Sequence, residues 1–219
     1  MRNYFRLAVH LVAAFGFSVA SAGSYEDFFI AIKRDNPGTV TNLLTRGFDP
    51  NTLDPQGFHG LFLALQEPSP KVADVLIRWP KTNVEPRTAK DESPLMIAAL
   101  RGHIDLVRKL IDRGADVNKP GWTPLHYAAT SGHMDIMNLL LEHHAFIDAE
   151  SPNGTTPLMM AAHYGTSAAV KLLLEAGADV AMKNQIGMSA IDFATSAKRP
   201  EVAQMIATVR RGQQPAGRW

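Results

Sequence analysis

Gly121-Trp122-Thr123-Pro124-Leu125-His126-Tyr127-Ala128-Ala129 is the stretch on which the fold turns. Thr123 is suited to N-cap a helix, its side-chain oxygen accepting a backbone N–H of the first turn. Pro124 then falls at the first helical position, where its missing N–H costs no bond. Leu125 is the first core residue, and Ala128 and Ala129 are small enough to let a neighbouring helix come close. Gly121 supplies the turn before the cap.

The same arrangement recurs along the chain. Ser93-Pro94-Leu95-Met96-Ile97-Ala98-Ala99 precedes it, Thr156-Pro157-Leu158-Met159-Met160-Ala161-Ala162 follows, and Ser189-Ala190-Ile191-Asp192-Phe193-Ala194 is a worn copy. The capping positions 93, 123, 156 and 189 are spaced by 30, 33 and 33 residues. Behind each of the first three lies a second helical stripe, including Leu106, Val107 and Leu110, then Ile136, Met137 and Leu140, then Val170 and Leu173. Two of these stripes end in Gly114-Ala115-Asp116-Val117-Asn118 and Gly177-Ala178-Asp179-Val180. A period near 33 residues with these elements in constant order closely resembles the ankyrin repeat.

Extending the register backwards gives weaker repeats starting near His59 and Glu26. Their caps have decayed, although Ser24 and Asp27 have the spacing of a slightly earlier capping box. The expected fold is therefore an all-α repeat solenoid of about six ankyrin repeats, starting near 26, 59, 93, 123, 156 and 189 within residues 23–208. Terminal repeats need one polar outer face, which Thr41, Asn42, Thr45 and Arg46 supply at one end. Gln204, Thr208, Arg210 and Arg211 supply it at the other, and residues 209–219 read as a flexible tail.

Residues 1–22 read as a signal peptide, with basic Arg2 and Arg6, an apolar run from Leu7 to Ala20, and the small-x-small site Ala20-Ser21-Ala22. That run of 14 residues is shorter than the ~20 needed to span a bilayer. Cleavage would leave a product beginning at Gly23 and move the formal charge from +1 to −1. Neither value favours nucleic acid or an anionic membrane, and no membrane contact is expected after cleavage. The chain has no cysteine, which excludes disulfides, thiolate metal sites and cysteine nucleophiles together.

Catalytic patterns are missing as well. There is no Gly-x-Ser-x-Gly elbow, phosphate loop or dinucleotide fingerprint, and Glu142-His143-His144 does not make a HExxH pair. Repeat spacing scatters the histidines, whereas zinc needs converging ligands. No cofactor, metal or catalytic residue is assigned. His126 occupies the position whose histidine, by the resemblance, hydrogen-bonds neighbouring backbone; His103 and His133 take similar turn roles. Met96, Met137, Met159 and Met160 read as packing, and Asn153-Gly154 as a hairpin tip that also forms a glycosylation sequon with Thr155.

Departures from the pattern carry the individual information. The connector Asp116–Gly121 is three residues shorter than the one after Gly177, so its finger should be clipped and leave a notch beside Trp122. His144 stands where Gly47, Gly114 and Gly177 occupy the turn after a second helix, a left-handed position.

The resemblance implies a non-catalytic scaffold that binds a protein partner in a concave groove, and the signal-peptide reading makes it an exported one. The source would decide between the periplasm of a Gram-negative bacterium and full secretion. A secreted effector acting on host proteins is the alternative, with a small-molecule-binding or enzymatic repeat protein third. The groove positions implied by the family pattern are Lys90, Arg101, Trp122, Asn153, His163, Tyr164, Gln185 and Met188. The expected assembly state is a monomer.

Overall fold

Short helices need both ends satisfied, because an isolated helix below ~12–15 residues is marginal in water. The structure is a computed structural model and describes residues 23–213, with side chains through 211. Its chain divides into two compact units meeting at Asn83 and Val84. The first contains α1 (23–33), α2 (Pro37–Thr45), α3 (Gly60–Gln66) and α4 (Pro70–Arg78). The second contains α5 (Pro94–Arg101), α6 (Ile104–Asp112), α7 (Pro124–Ser131), α8 (Met134–Glu142), α9 (Pro157–His163), α10 (Ser167–Glu175), α11 (Ala190–Ser196) and α12 (Pro200–Gln213). These are the paired helices of an ankyrin repeat solenoid. Among the described residues, β pairing is confined to isolated antiparallel bridges, Leu53 with His59 and Lys183 with Ser189.

The repeated cap works at Ser93 and Thr156 as its residues suggest, whereas Thr123 makes no side-chain capping bond and its Oγ1 lies instead 2.8 Å from His126 Nδ1. Ser93 Oγ accepts the Met96 N–H at 3.2 Å, and Thr156 Oγ1 accepts that of Met159 at 3.4 Å. Pro94, Pro124 and Pro157 take the first helical position. Ala98, Ala99, Ala128, Ala129, Ala161 and Ala162 are completely buried, which lets α5, α7, α9 and α11 pack in series. Behind them Val107, Leu110, Met137, Leu140, Val170 and Leu173 form the fully buried stripe of the second helices. Met96, Met137 and Met159 are core residues as expected, whereas Met160 is half-buried.

The second helices α2, α6, α8 and α10 end in one recurring hydrogen-bond pattern, whereas α4 ends at Trp79 in extended backbone. In α6 the Gly114 N–H donates to Ile111 O at 2.8 Å and the Ala115 N–H to Leu110 O at 2.9 Å, the Schellman arrangement. His144 and Ala145 repeat it onto Leu141 O and Leu140 O, both at 2.9 Å. The pattern requires a left-handed residue, and His144 has φ 62°, as its alignment with the glycines implies. Asp35 (φ 47°) and Lys198 (φ 58°) hold the same place after α1 and α11.

In the first unit, Phe28, Ile32, Leu61, Leu65, Leu76 and Ile77 form the core. Gly60 sits against Phe28 so closely that an added Cβ would lie 2.6 Å from its ring. The decayed cap at His59 makes no side-chain capping bond. Ser24 corrects the sequence reading: it lies inside α1, because the helix already covers residue 23, and so does not cap it. Thr41, Asn42, Thr45 and Arg46 are exposed, as are Gln204, Thr208, Arg210 and Arg211 of the last helix. That helix runs on to Gln213, past the expected boundary at 208. Residues 1–22, read as a signal peptide, and 214–219 lie outside the described residues.

Two substitutions test this backbone logic in opposite directions. His144→Gly should raise unfolding free energy by about 1 kcal/mol, because an L side chain leaves the left-handed region. Gly165→Ala should lower it by roughly 2–4 kcal/mol, since its Cβ would lie 2.3 Å from the Ala129 carbonyl oxygen, a backbone atom that cannot rotate away. Urea unfolding monitored by circular dichroism measures both.

Candidate partner-binding site

Outside the clipped connector at 116–121, the fingers between repeats are built by a four-residue turn closed by a left-handed residue. Gly154 donates to Ser151 O at 2.8 Å while the Ser151 N–H donates to Thr155 O at 3.0 Å. Asn184, Gly187 and Met188 repeat this, and so do Thr88, Asp91 and Glu92. Asp91 (φ 61°) thus stands where the other fingers carry glycine. Asn153-Gly154 is the tip of a finger, as its sequence suggests. Asn153 O accepts the Gln185 N–H at 3.0 Å, and Gln185 Nε2 donates to Pro152 O at 2.8 Å, joining two exposed fingertips.

His126 is completely buried at the centre of this stitching. Its Nδ1 accepts the Thr123 N–H at 3.1 Å, so Nε2 carries the proton and donates to Thr155 O of the next repeat at 2.9 Å. Burial lowers its pKa to about 4, against hydrogen bonds to Thr155 and Ala149 that raise it. The structural role expected for this histidine is the one it plays. Met96 and Met159 take the same place, each sulfur accepting its cap N–H at 3.2 and 3.4 Å. His133 Nε2 lies 3.1 Å from Leu100 O, another link between successive repeats.

The expected notch beside Trp122 is not open. The connector is clipped, but Lys119 folds into the space and is 7% exposed. Its Nζ donates to Pro120 O at 3.0 Å and Trp122 O at 3.4 Å, and it pairs with the Asp91 carboxylate. A finger too short to bond across itself thus uses a lysine as its crosslink. Lys119 went unread because a lysine in a connector ordinarily means solvated charge; the three-residue deletion beside it was the available signal. Trp122 is half-buried, edge-on to His126 with ring centroids 5.1 Å apart.

The eight groove positions therefore separate. Tyr164 is 62% exposed, with its ring centroid 4.1 Å from that of His163 in an edge-on arrangement. His163 is half-buried, its Nδ1 3.2 Å from Phe193 O, and its ring also meets the Phe193 edge. Phe193 belongs to this cluster although the sequence reading treated it only as part of a worn cap. Asn153 and Gln185 are exposed and bonded to each other's fingers. Lys90 is exposed on its finger and Arg101 at the end of α5, while Met188 is half-buried below its fingertip. The charge on Arg101 adds to burial in lowering the pKa of His103.

A family model described as ankyrin repeats (3 copies) matches residues 28–120, 61–151 and 145–215. The chain belongs to the ankyrin-repeat family. It is 34% identical over 139 residues to the mouse ankyrin repeat and SAM domain-containing protein 6, covering 59% of this chain and 16% of that protein. It is 30% identical over 162 residues to the mouse B-cell lymphoma 3 protein homolog, covering 71% of this chain and 36% of the relative. A putative palmitoyltransferase of Danio rerio, ZDHHC13, is 29% identical over 182 residues, covering 82% of this chain and 23% of the relative. The chain thus spans a minor part of each of these longer proteins. Ankyrin repeats are protein-interaction modules and are in general non-catalytic scaffolds. No helix among the described residues is long and apolar enough to cross a membrane.

The titration of His126 gives a direct test. Its unfolded pKa is near 6.5 and its folded one about 4, so the stability is complete above 6.5 and is lost as pH falls towards 4. The loss should total roughly 3 kcal/mol from this group. His126→Met should remove that part of the pH dependence, at a cost of about 1 kcal/mol at pH 7 for the bond to Thr155. The difference between the two proteins' urea midpoints across this pH range isolates the term from the carboxylates Glu85 and Asp148, whose pKa values burial raises.

Proposed function

We propose that this ankyrin-repeat protein is an exported, non-catalytic scaffold that binds a protein partner through the second unit, anchored at Tyr164. The observation that carries the reading is an exposed aromatic ring braced by His163, which is itself tied to the Phe193 carbonyl. A tyrosine held in place in the free protein loses little entropy on binding, and Tyr is enriched among residues that dominate interface energy. Arg101, Asn153 and Gln185 supply exposed polar contacts for specificity. Trp122 serves mainly to cover His126 and contributes less to recognition than Tyr164.

Tyr164→Ala should weaken partner binding by roughly 1–3 kcal/mol while leaving the melting temperature unchanged. A photo-crosslinker placed at exposed Arg101 in the native compartment identifies the partner, and calorimetry with the purified pair measures the loss. If Tyr164→Ala binds as tightly as the parent, the anchor lies elsewhere.

Export rests on the basic start, the short apolar run and Ala20-Ser21-Ala22. N-terminal sequencing of the protein from its native source should begin at Gly23. Recovery from a periplasmic extract agrees with a resident scaffold, and recovery from the medium with an effector acting on host proteins. Intact Met1 in the membrane fraction would overturn export by cleavage.

A further inference from the structure

The first unit carries a surface that the groove positions above do not touch. A cleft of about 560 Å³ opens between α1, the finger at 54–58 and α3. Its apolar wall includes Tyr25, Phe29, Ile30, Phe58 and Leu63. Ile30 is 45% exposed, whereas Ile32 on the same helix is buried. The walls are held rather than loose. Tyr25 Oη donates to Leu53 O at 3.1 Å, its ring lies 4.9 Å from that of Phe29, and Phe58 stacks on Phe62 at 5.3 Å. The finger is pinned by Asp54, whose Oδ1 accepts the N–H groups of Gln56 and Phe58 at 2.9 and 2.8 Å. An apolar recess built on such fixed parts is a poor place to leave against water.

Charge selects the occupant. Glu26, Asp54 and Glu67 face the cleft against a single cation, Lys33. Glu26 and Glu67 are exposed and enter no ion pair among the described residues. Aromatic faces beside carboxylates favour a cation twice, through the ring quadrupole and through the opposite charge. An acidic segment would meet net repulsion, and a purely aliphatic one would leave the carboxylates without a partner.

We propose that this cleft is a second binding site, taking a basic peptide segment of a partner in which arginine or lysine alternates with bulky aliphatic residues. The aliphatic side chains fill the recess between Phe29, Ile30 and Leu63, and the cationic ones reach Glu26 and Glu67 at its rim.

The test uses the full chain and three fluorescein-labelled short peptides, alternating Arg with Leu, Glu with Leu, and Arg with Ser. The Arg-Leu peptide should bind at least about tenfold more tightly than either of the others, and added salt should weaken it. Ile30→Ser, and separately Glu26→Lys combined with Glu67→Lys, should each reduce that affinity about tenfold or more. All three positions lie on the surface, so melting temperatures should hold. Tyr164→Ala, which tests the other site, should leave this affinity unchanged, so either proposal can fail without the other. Amide shifts on titration should concentrate in 25–33 and 54–63. Equal binding of the Glu-Leu peptide, parent-like binding by both cleft variants, or shifts confined to the second unit would each overturn the proposal.

Discussion

Everything in this fold depends on closing the ends of helices too short to stand alone. Apart from α1 and α12 they have seven to nine residues, so unsatisfied terminal groups make up most of the backbone of each. A hydroxyl cap at one end of a repeat and a left-handed residue at the other remove that cost locally. The side chain three residues into the helix completes the cap, whether it is the Met96 sulfur, the His126 imidazole or the Asp192 carboxylate. Different chemistry satisfies the same amide because an acceptor at that distance is all that is required.

Stitching between neighbours is the second layer. Asn51 donates to Lys81 O and accepts from Asn83 N, and Asn118 does the same with His144 and Phe146. The side chain of each asparagine meets both polarities of the next connector's backbone. His126 reaches Thr155, and Lys119 reaches Asp91, again from one repeat to an adjoining finger. Stability of this kind is a sum of nearest-neighbour terms, which is why polar outer residues suffice at the ends.

A scaffold that settles its backbone so locally leaves its outward side chains free to vary. The second unit uses that freedom to hold Tyr164 out on a braced histidine, and the first to form an aromatic cleft with acidic rims. The two surfaces differ in kind, one a projecting ring and the other a recess.

The repeat register, the caps at Ser93 and Thr156, the buried alanine pairs and the left-handed His144 were legible in the chain, because each rests on residues within a few positions of one another. Turn sterics and helix-end hydrogen bonds act at that range and follow from residue type. Ser24 misled because a capping pattern says where a helix is able to begin, while the helix is also free to start earlier. Lys119 and Trp122 were decided only by the tertiary structure. Whether a shortened finger leaves a hole depends on whether its own side chains can fold into it and find partners on a neighbouring repeat, and Asp91, the partner of Lys119, lies 28 residues away in sequence. The cleft at Phe29 and Phe58 was hidden for the same reason. Its walls come from three elements whose apolar residues look in sequence like ordinary core, and only their packing shows which of them is left facing solvent.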